Sequence, residues 1–355
     1  MKRLLGIALL ALTVCSACHK EEAKPVVKQQ SDLILVKKLG KFGFCNPAGV
    51  MVIPTQFENA SVFSEGLAAV RQNGKDGYID ATGNFVIPPR FDAASIFHEG
   101  LAAVKNGNRW CYIDQTGKQI TEAHYMFTFA FKEGVASVVV VEKDGYHAGY
   151  IDKAGKYSIP PQFDDASNFS EGLAEVRMGK KRGFINKLGQ LVIPAQFDGT
   201  NGFREGMALV KVNGTYGRVG YIDHSGGLVI PATYENGTNF FDGVAAVKKD
   251  GKWLLIDKTG KQIIPQTYDT ATIYTEGLAP MKINGKLGYM DKQGKMVIEP
   301  KYDAGGIFVR GLAPVKIGET CGYINKKGEM VIKPEFEWDG RVIDLYTSFN
   351  TTFAH

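Results

Sequence analysis

Along most of the chain, apolar and polar residues alternate over runs of four or five, the period-2 pattern of strands with one buried face. Residues 67–100 read LAAVRQNGKDGYIDATGNFVIPPRFDAASIFHEG. Leu67 to Val70 makes a first strand, Asn73-Gly74 a tight hairpin turn, and Gly77-Tyr78-Ile79-Asp80 a second strand. In Asp80-Ala81-Thr82-Gly83 the carboxylate can bond turn amides while the glycine takes a positive φ, which closes a second hairpin. A third strand, Asn84 to Ile87, is expected to stop at Pro88, which has no amide to give a ladder. The stretch therefore predicts a three-stranded antiparallel meander followed by a connector.

The same pattern returns with units starting at Leu33, Leu67, Leu101, Val135, Leu173, Met207, Val244, Leu278 and Leu312, in steps of 34, 34, 34, 38, 34, 37, 34 and 34 residues. The turn Asp or Asn, and the Gly three residues later, occur in all nine copies. An aromatic opens every connector (Phe57, Phe91, Tyr125, Phe163, Phe197, Tyr234, Tyr268, Tyr302, Phe336) and is expected to pack between repeats. Units of this length cannot bury a hydrophobic face alone and must lean on their neighbours. The expected fold is all-β, with tandem meanders in an open solenoid-like array; a closed β-propeller-like ring is the alternative. The open stack is preferred because 34 residues fall short of the roughly 40 to 45 of a familiar propeller blade, and nine copies exceed the usual ring of about 4 to 8. The tail from Trp338 breaks the pattern and is expected to cap the last edge.

The phrases K-x-G-[YF]-I-[DN]-x-x-G-x-x-V-I-P and [FY]-[DE]-x-A-x-x-F-x-E-G-L-A-x-V resemble the WG-repeat family of bacterial β-rich repeat proteins, over residues 33 to about 340. The naming dipeptide itself is missing, since Trp110 is followed by Cys111 and Trp253 by Leu254. The resemblance implies an interaction module of exported and surface proteins, with no defined reaction and no catalytic residues to carry over.

The first residues change the picture of location. MKRLLGIALLALTVCSACHK has a positive start, Lys2 and Arg3, and an apolar run from Leu4 to Val14, about half of the ~20 residues a membrane span needs. Cys15-Ser16-Ala17-Cys18 resembles the lipobox of bacterial lipoproteins, with Cys18 as the lipid attachment site. The expected organisation is a signal peptide over 1–17, a polar tether over 18–32, and the nine repeats with a C-terminal cap over 33–355, held in the bacterial cell envelope by the N-terminal lipid, with the outer membrane preferred. Loss of Lys2 and Arg3 leaves 42 − 2 − 37 = +3, a small charge that argues neither for nor against polyanion binding, and no nucleic acid partner is expected. Cys45, Cys111 and Cys321 are odd in number and widely spaced, so no disulfide framework is expected.

Chemistry is sparse. HExxH, GxSxG, Walker and CxxC motifs are absent, and no catalytic residue, cofactor or metal is expected. The recurring turn aspartates each offer one carboxylate already engaged by a turn, whereas a hard cation wants several oxygens converging from one loop. A basic residue follows the first strand in eight units (Lys37, Arg71, Lys105, Arg177, Lys211, Lys248, Lys282, Lys316), and an acid follows the connector aromatic in eight (Glu58, Asp92, Asp164, Asp198, Glu235, Asp269, Asp303, Glu337). Specificity is sought where the repeat breaks, because insertions tend to map to one binding face. The segment between the first two strands lengthens in the fourth unit (Val139 to Ala148) and in the sixth (Lys211 to Val219). The candidate ligand contacts are Trp110, Tyr146, His147, Tyr216, Arg218 and Trp253. The expected function is a non-enzymatic envelope lipoprotein whose repeats bind a protein or a glycan; a polysaccharide hydrolase and a structural spacer are the alternatives.

Overall fold

The computed structural model describes residues 32–122, 124–212, 214, 217–268, 270 and 272–339. The signal, Cys18 and most of the tether, together with Tyr216 and the tail from residue 340, lie outside the described residues. Among those described, the structure is all strand and turn: nine small antiparallel sheets, one for each sequence unit.

In the second sheet the strands run in the order Asn59–Ala60, Ala68–Gln72, Lys75–Ile79 and Phe85–Phe91, each antiparallel to the next. Asn73 and Gly74 have φ of 52° and 73°, the two positive values that a twisted two-residue hairpin requires. Asp80 Oδ1 accepts from the amides of Thr82 and Asn84 at 2.9 and 3.1 Å, which is the second turn expected from the sequence.

The third strand does not stop at Pro88. It continues through Pro88 and Pro89 to Phe91, with Ile87 and Phe91 buried and Val86, Pro88 and Arg90 exposed. Proline is tolerated because this is an edge strand, whose outward amides need no ladder partner. Its pairing with the second strand slips between Asp76↔Phe91 and Tyr78↔Ile87, so the proline segment bulges across Gly77. A Cβ at Gly77 would lie 2.6 Å from the Ile87 carbonyl oxygen, which explains the glycine before the aromatic.

The two exceptions support that explanation. Where the glycine becomes Cys111 or Leu254, the full third strand is missing from the described residues. Isolated bridges replace it, Trp110↔Tyr125 with Ile113↔Gln119, and Trp253↔Tyr268 with Ile256↔Gln262. In both units a glutamine carboxamide, Gln119 or Gln262, donates at 2.7 Å to a backbone carbonyl, that of Thr121 or Ile264.

No sheet makes a core alone. Phe44, Ile53 and Phe57 of the first pack with Ala68, Val70 and Ile79 of the second in one cluster, and successive clusters straddle successive sheets in the same way. Ala68, Ala102, Ala136, Ala174, Ala208, Ala245, Ala279 and Ala313 are all buried in these interfaces.

The expected open stack is corrected: the nine sheets are the blades of a closed β-propeller. Val36 and Cys45 of the first blade pack with Cys321, Tyr323, Ile332 and Phe336 of the ninth, each at most 6% exposed. Contacts that join neighbouring blades elsewhere recur across the seam. The turn glycine of most blades sits on an isoleucine of the blade before it, as in Gly83 on Ile53 and Gly226 on Ile193, Gly155 meeting Thr121 instead, and Gly49 sits on Ile332 in the same way. One contact changes sign. Elsewhere a turn carboxylate, Glu at every turn but that of Asp242, accepts from the next blade's Gly amide, Glu65 from Gly100 at 2.8 Å and Glu276 from Gly311 at 3.0 Å. At the seam Arg310 and Asp32 hold these two positions, and their charged groups pair at 3.4 Å.

An open array would leave two apolar blade faces in water, and closure buries both. Nine blades fit because each is small: one residue, such as Glu58, separates the last strand of one blade from the two-residue first strand of the next. The expected cap falls outside the described residues except for Trp338 and Asp339. Trp338 packs on the seam cluster, and Asp339 pairs with Lys37 at 3.3 Å.

Candidate binding surface

The charges of the basic and acidic rows are taken up by hairpin amides and by partners mostly outside the two rows, such as Lys75 and Asp76. Glu58 carboxylate oxygens accept from the Asn73 and Gly74 amides at 3.0 Å. Asp92 takes the Gly107 amide at 2.7 Å and the Lys75 ammonium at 2.5 Å, and these bonds hold its carboxyl below the usual range. Arg71 is directly opposite Asp76, with Nε and Oδ1 2.6 Å apart. Lys181–Asp198 and Lys286–Asp303 repeat the Lys75–Asp92 pair, each at 2.6 Å.

The fourth blade (Phe127–Thr128, Val135–Glu142, Gly145–Asp152, Tyr157–Phe163) abandons this scheme. Met126 replaces the connector acid and Val139 replaces the base. The longer segment is not a loop, as the sequence reading had it. Both strands extend to eight residues around a two-residue turn, Lys143-Asp144. Phe127 pairs with Val139, and Val141 pairs with Tyr146, so all four lie on one face of the hairpin. Phe127, Val141 and Tyr146 are 58%, 49% and 57% exposed, an apolar strip on a rim that is charged in the other blades.

The opposite face of the same tip is polar. Glu142 stands across from Gly145, and His147 stands across from Val140. His147 Nε2 lies 3.1 Å from Asp144 Oδ1, a bond that lowers the Asp144 pKa. One ligating atom each from Glu142, Asp144 and His147 lie within 4.8 Å of one another.

The other candidates are placed differently. Trp110 and Trp253 are half-buried and pack against the inter-blade clusters of Tyr112 and Leu255, with backbone bridges to Tyr125 and Tyr268. Arg218 begins a strand and approaches Glu235 at 3.6 Å. Tyr216 falls outside the described residues. Among the candidates, the structure brings together Tyr146 and His147, on opposite faces of one hairpin. The sequence reading missed Phe127, Val141, Glu142 and Asp144, although the missing acid and base of the fourth unit were visible in the two charged rows.

Cys45, Cys111 and Cys321 are buried and unpaired, and burial pushes the Cys45 thiol up to about 11. Three cavities of about 250, 260 and 350 Å³ are lined by no more than one carboxylate each: Asp76 in the first, Asp32 in the second and none in the third. Hydrolysis of a glycoside by the usual route needs two facing carboxylates.

A family model described as "WG containing repeat" matches residues 42–75, 77–110, 112–145, 149–181, 183–216, 220–253, 255–286, 288–321 and 322–338. No curated protein matches the chain. Among solved structures the chain is similar to Hsv2p of Kluyveromyces lactis, at 10% identity and a TM-score of 0.41, over 66% of this chain and 92% of that one. A second structure of Hsv2 from the same organism gives 11% identity and a TM-score of 0.36, over 70% and 89%. The nine matched segments cover most of the sequence, and the chain belongs to the WG containing repeat family.

Proposed function

We propose that this WG-repeat ring is a non-enzymatic binding scaffold, anchored in the bacterial cell envelope by a lipid on Cys18, and that it takes a protein partner on the apolar rim of its fourth blade. The single observation carrying the reading is the replacement, in one blade, of the charged acid and base positions by Met126 and Val139, extended outward by Phe127, Val141 and Tyr146. An exposed aromatic beside aliphatic side chains resembles the core of a protein interface more than a sugar site, where hydrogen-bonding groups have to surround the ring. The hydrolase alternative draws no support from the three cavities above, none of which has two carboxylates in its lining. The repeats then act as a rigid frame holding one irregular hairpin, in keeping with binding residues placed on a stiff scaffold.

A photo-reactive amino acid at position 146, in cells making the full chain, tests the reading. A discrete cross-linked protein is expected that is lost when Phe127 and Val141 become serine, and that does not form when the reactive group is placed at Lys252 of the seventh blade. Equal cross-linking from positions 146 and 252, or none from 146, contradicts it. Labelling with radioactive palmitate, abolished by Cys18→Ser, tests the anchor.

A further inference from the structure

The polar face of the fourth-blade hairpin holds an arrangement that the repeat does not contain elsewhere among the described residues. All six turn aspartates, including Asp80, Asp114, Asp223 and Asp257, spend Oδ1 on two backbone amides and a hydroxyl, or on two amides alone. Asp144 instead meets an imidazole, with Asp144 Oδ1 and His147 Nε2 3.1 Å apart. We propose that Glu142, Asp144 and His147 together bind one divalent cation of the Zn²⁺ class, leaving one or more coordination positions open.

The hairpin register brings the three donors together. Glu142 pairs with Gly145, and Val140 with His147, so the side chains of Glu142 and His147 project from the same face at diagonal positions. Gly145 has no side chain to fill the space across from Glu142. Asp144, in the two-residue turn, closes the third side. The donors lie within 4.8 Å of one another, and a tetrahedral ion with bonds of about 2.0 to 2.1 Å requires donor separations of roughly 3.4 Å. Asp144 and His147 are already that close, and Glu142, which is exposed, has at most about 1.4 Å to cover by a change of rotamer.

The donor set selects the metal. One imidazole nitrogen with two carboxylates suits Zn²⁺, Co²⁺, Ni²⁺ or Cu²⁺, whereas Ca²⁺ and Mg²⁺ prefer shells of six or more oxygens. Three protein ligands leave a fourth position for water or for a side chain brought by a partner. His98 is the contrasting case: burial depresses its pKa, and although Glu65 and Glu99 act on it, it belongs to no group of three converging ligand atoms among the described residues. The site does not depend on the apolar face, because Val141 and Tyr146 project from the other side of the ladder.

The test is calorimetric titration of the full chain with ZnCl₂ at pH 7.5, with NMR of the histidine ring protons in parallel. One saturable equivalent is expected that shifts the His147 resonances, with at least ~10-fold weaker binding in His147→Ala and in the double variant Glu142→Gln/Asp144→Asn. His98→Ala is expected to bind as the parent does, and MgCl₂ is expected to leave the His147 resonances unmoved. Glu142 and Asp144 are exposed and the His147 side chain is 23% exposed, and unchanged circular dichroism and melting confirm that the variants fold. Zn²⁺ binding of equal strength in parent and His147→Ala, or no saturable binding to the parent, overturns the proposal. Loss of the Tyr146 cross-link with Zn²⁺ binding intact would count against the partner surface alone.

Discussion

Glu337 Oε1 accepts a hydrogen bond from the Gly40 amide at 2.9 Å, although 297 residues separate the two. The same bond joins Asp92 to Gly107 and Asp303 to Gly318, each at 2.7 Å and across 15 residues. A contact that is local six times among the described residues and distant once is what ring closure requires, and the seam is therefore an ordinary blade interface.

The first prediction compares two isoleucines. Ile332 and Ile193 are each 1% exposed and face the turn glycine of the following blade, Gly49 or Gly226. Ile332→Ala and Ile193→Ala are each expected to cost about 2 to 5 kcal/mol, as for a buried isoleucine. Urea unfolding of both variants checks this. In an open array Ile332 would face solvent on the terminal blade, and its replacement would cost little.

The second concerns the glycine under the proline bulge. Gly77→Ala places a methyl 2.6 Å from the Ile87 carbonyl oxygen and 2.7 Å from Pro89 N, backbone atoms that cannot step aside without moving the strand. The expected destabilisation is about 1 to 3 kcal/mol. Hydrogen exchange is expected to rise at amides of residues 85–91 before it rises elsewhere. Unchanged stability would show that the crossing strand does not require the glycine.

Acid sensitivity follows from the turns. Hydrogen bonding holds the Asp223 pKa down, the Ser225 hydroxyl at 2.6 Å acting first and the amides of Ser225 and Gly227 adding to it. Asp257 is lowered in the same way by Thr259, and for Asp80 and Asp114 the hydrogen bonds outweigh an opposing effect of burial. A carboxylate with a lowered folded pKa adds stability above its unfolded value of about 3.9, and that stability is lost as pH falls through the lower folded value. The urea midpoint is thus expected to be level near neutrality and to drop below about pH 4. Asn46, Asn186 and Asn325 make the same turn without titrating. Asp223→Asn is therefore expected to keep the fold and to flatten the acid limb; a limb as steep as the parent's would remove this turn from the explanation.

A fourth prediction concerns the charge reversal at the seam. Arg310→Glu restores the residue used at all but one of the other turns but places it beside Asp32, whose carboxylate is exposed. The expected loss is small, below about 1 kcal/mol, as for exposed ion pairs. Arg310→Glu combined with Asp32→Gly, which recreates the regular Glu–Gly contact, is expected to recover it. A double variant weaker than the single would contradict the equivalence of the seam to the other interfaces.

Much of this architecture was legible in the residues. Turn chemistry at Asn73-Gly74 and Asp80 to Gly83 gave the hairpins, and the aromatic and alanine rows gave the inter-blade packing, because both depend on local sequence. Closure was not legible. It is decided by a rotation per blade that no single unit encodes, and blade counts from other propellers pointed away from nine. The third strand was cut short at Pro88 because proline was weighed as a ladder-breaker before the strand was known to be an edge. The partial site was half visible: Tyr146 and His147 were singled out as loop residues. Phe127, Val141, Glu142 and Asp144 emerged only when the register showed that the insertion lengthens a hairpin and sorts its side chains onto two faces.

The closed ring is tested most directly by a distance. Lys38 Nζ and Glu335 Oε2, on the first and ninth blades, are 3.4 Å apart. Spin labels on cysteines at these two positions, introduced with the three native buried cysteines left in place, are expected to report a short separation set by the label tethers alone. A separation near 80 Å, eight steps of the ~10 Å spacing of stacked sheets, would contradict closure.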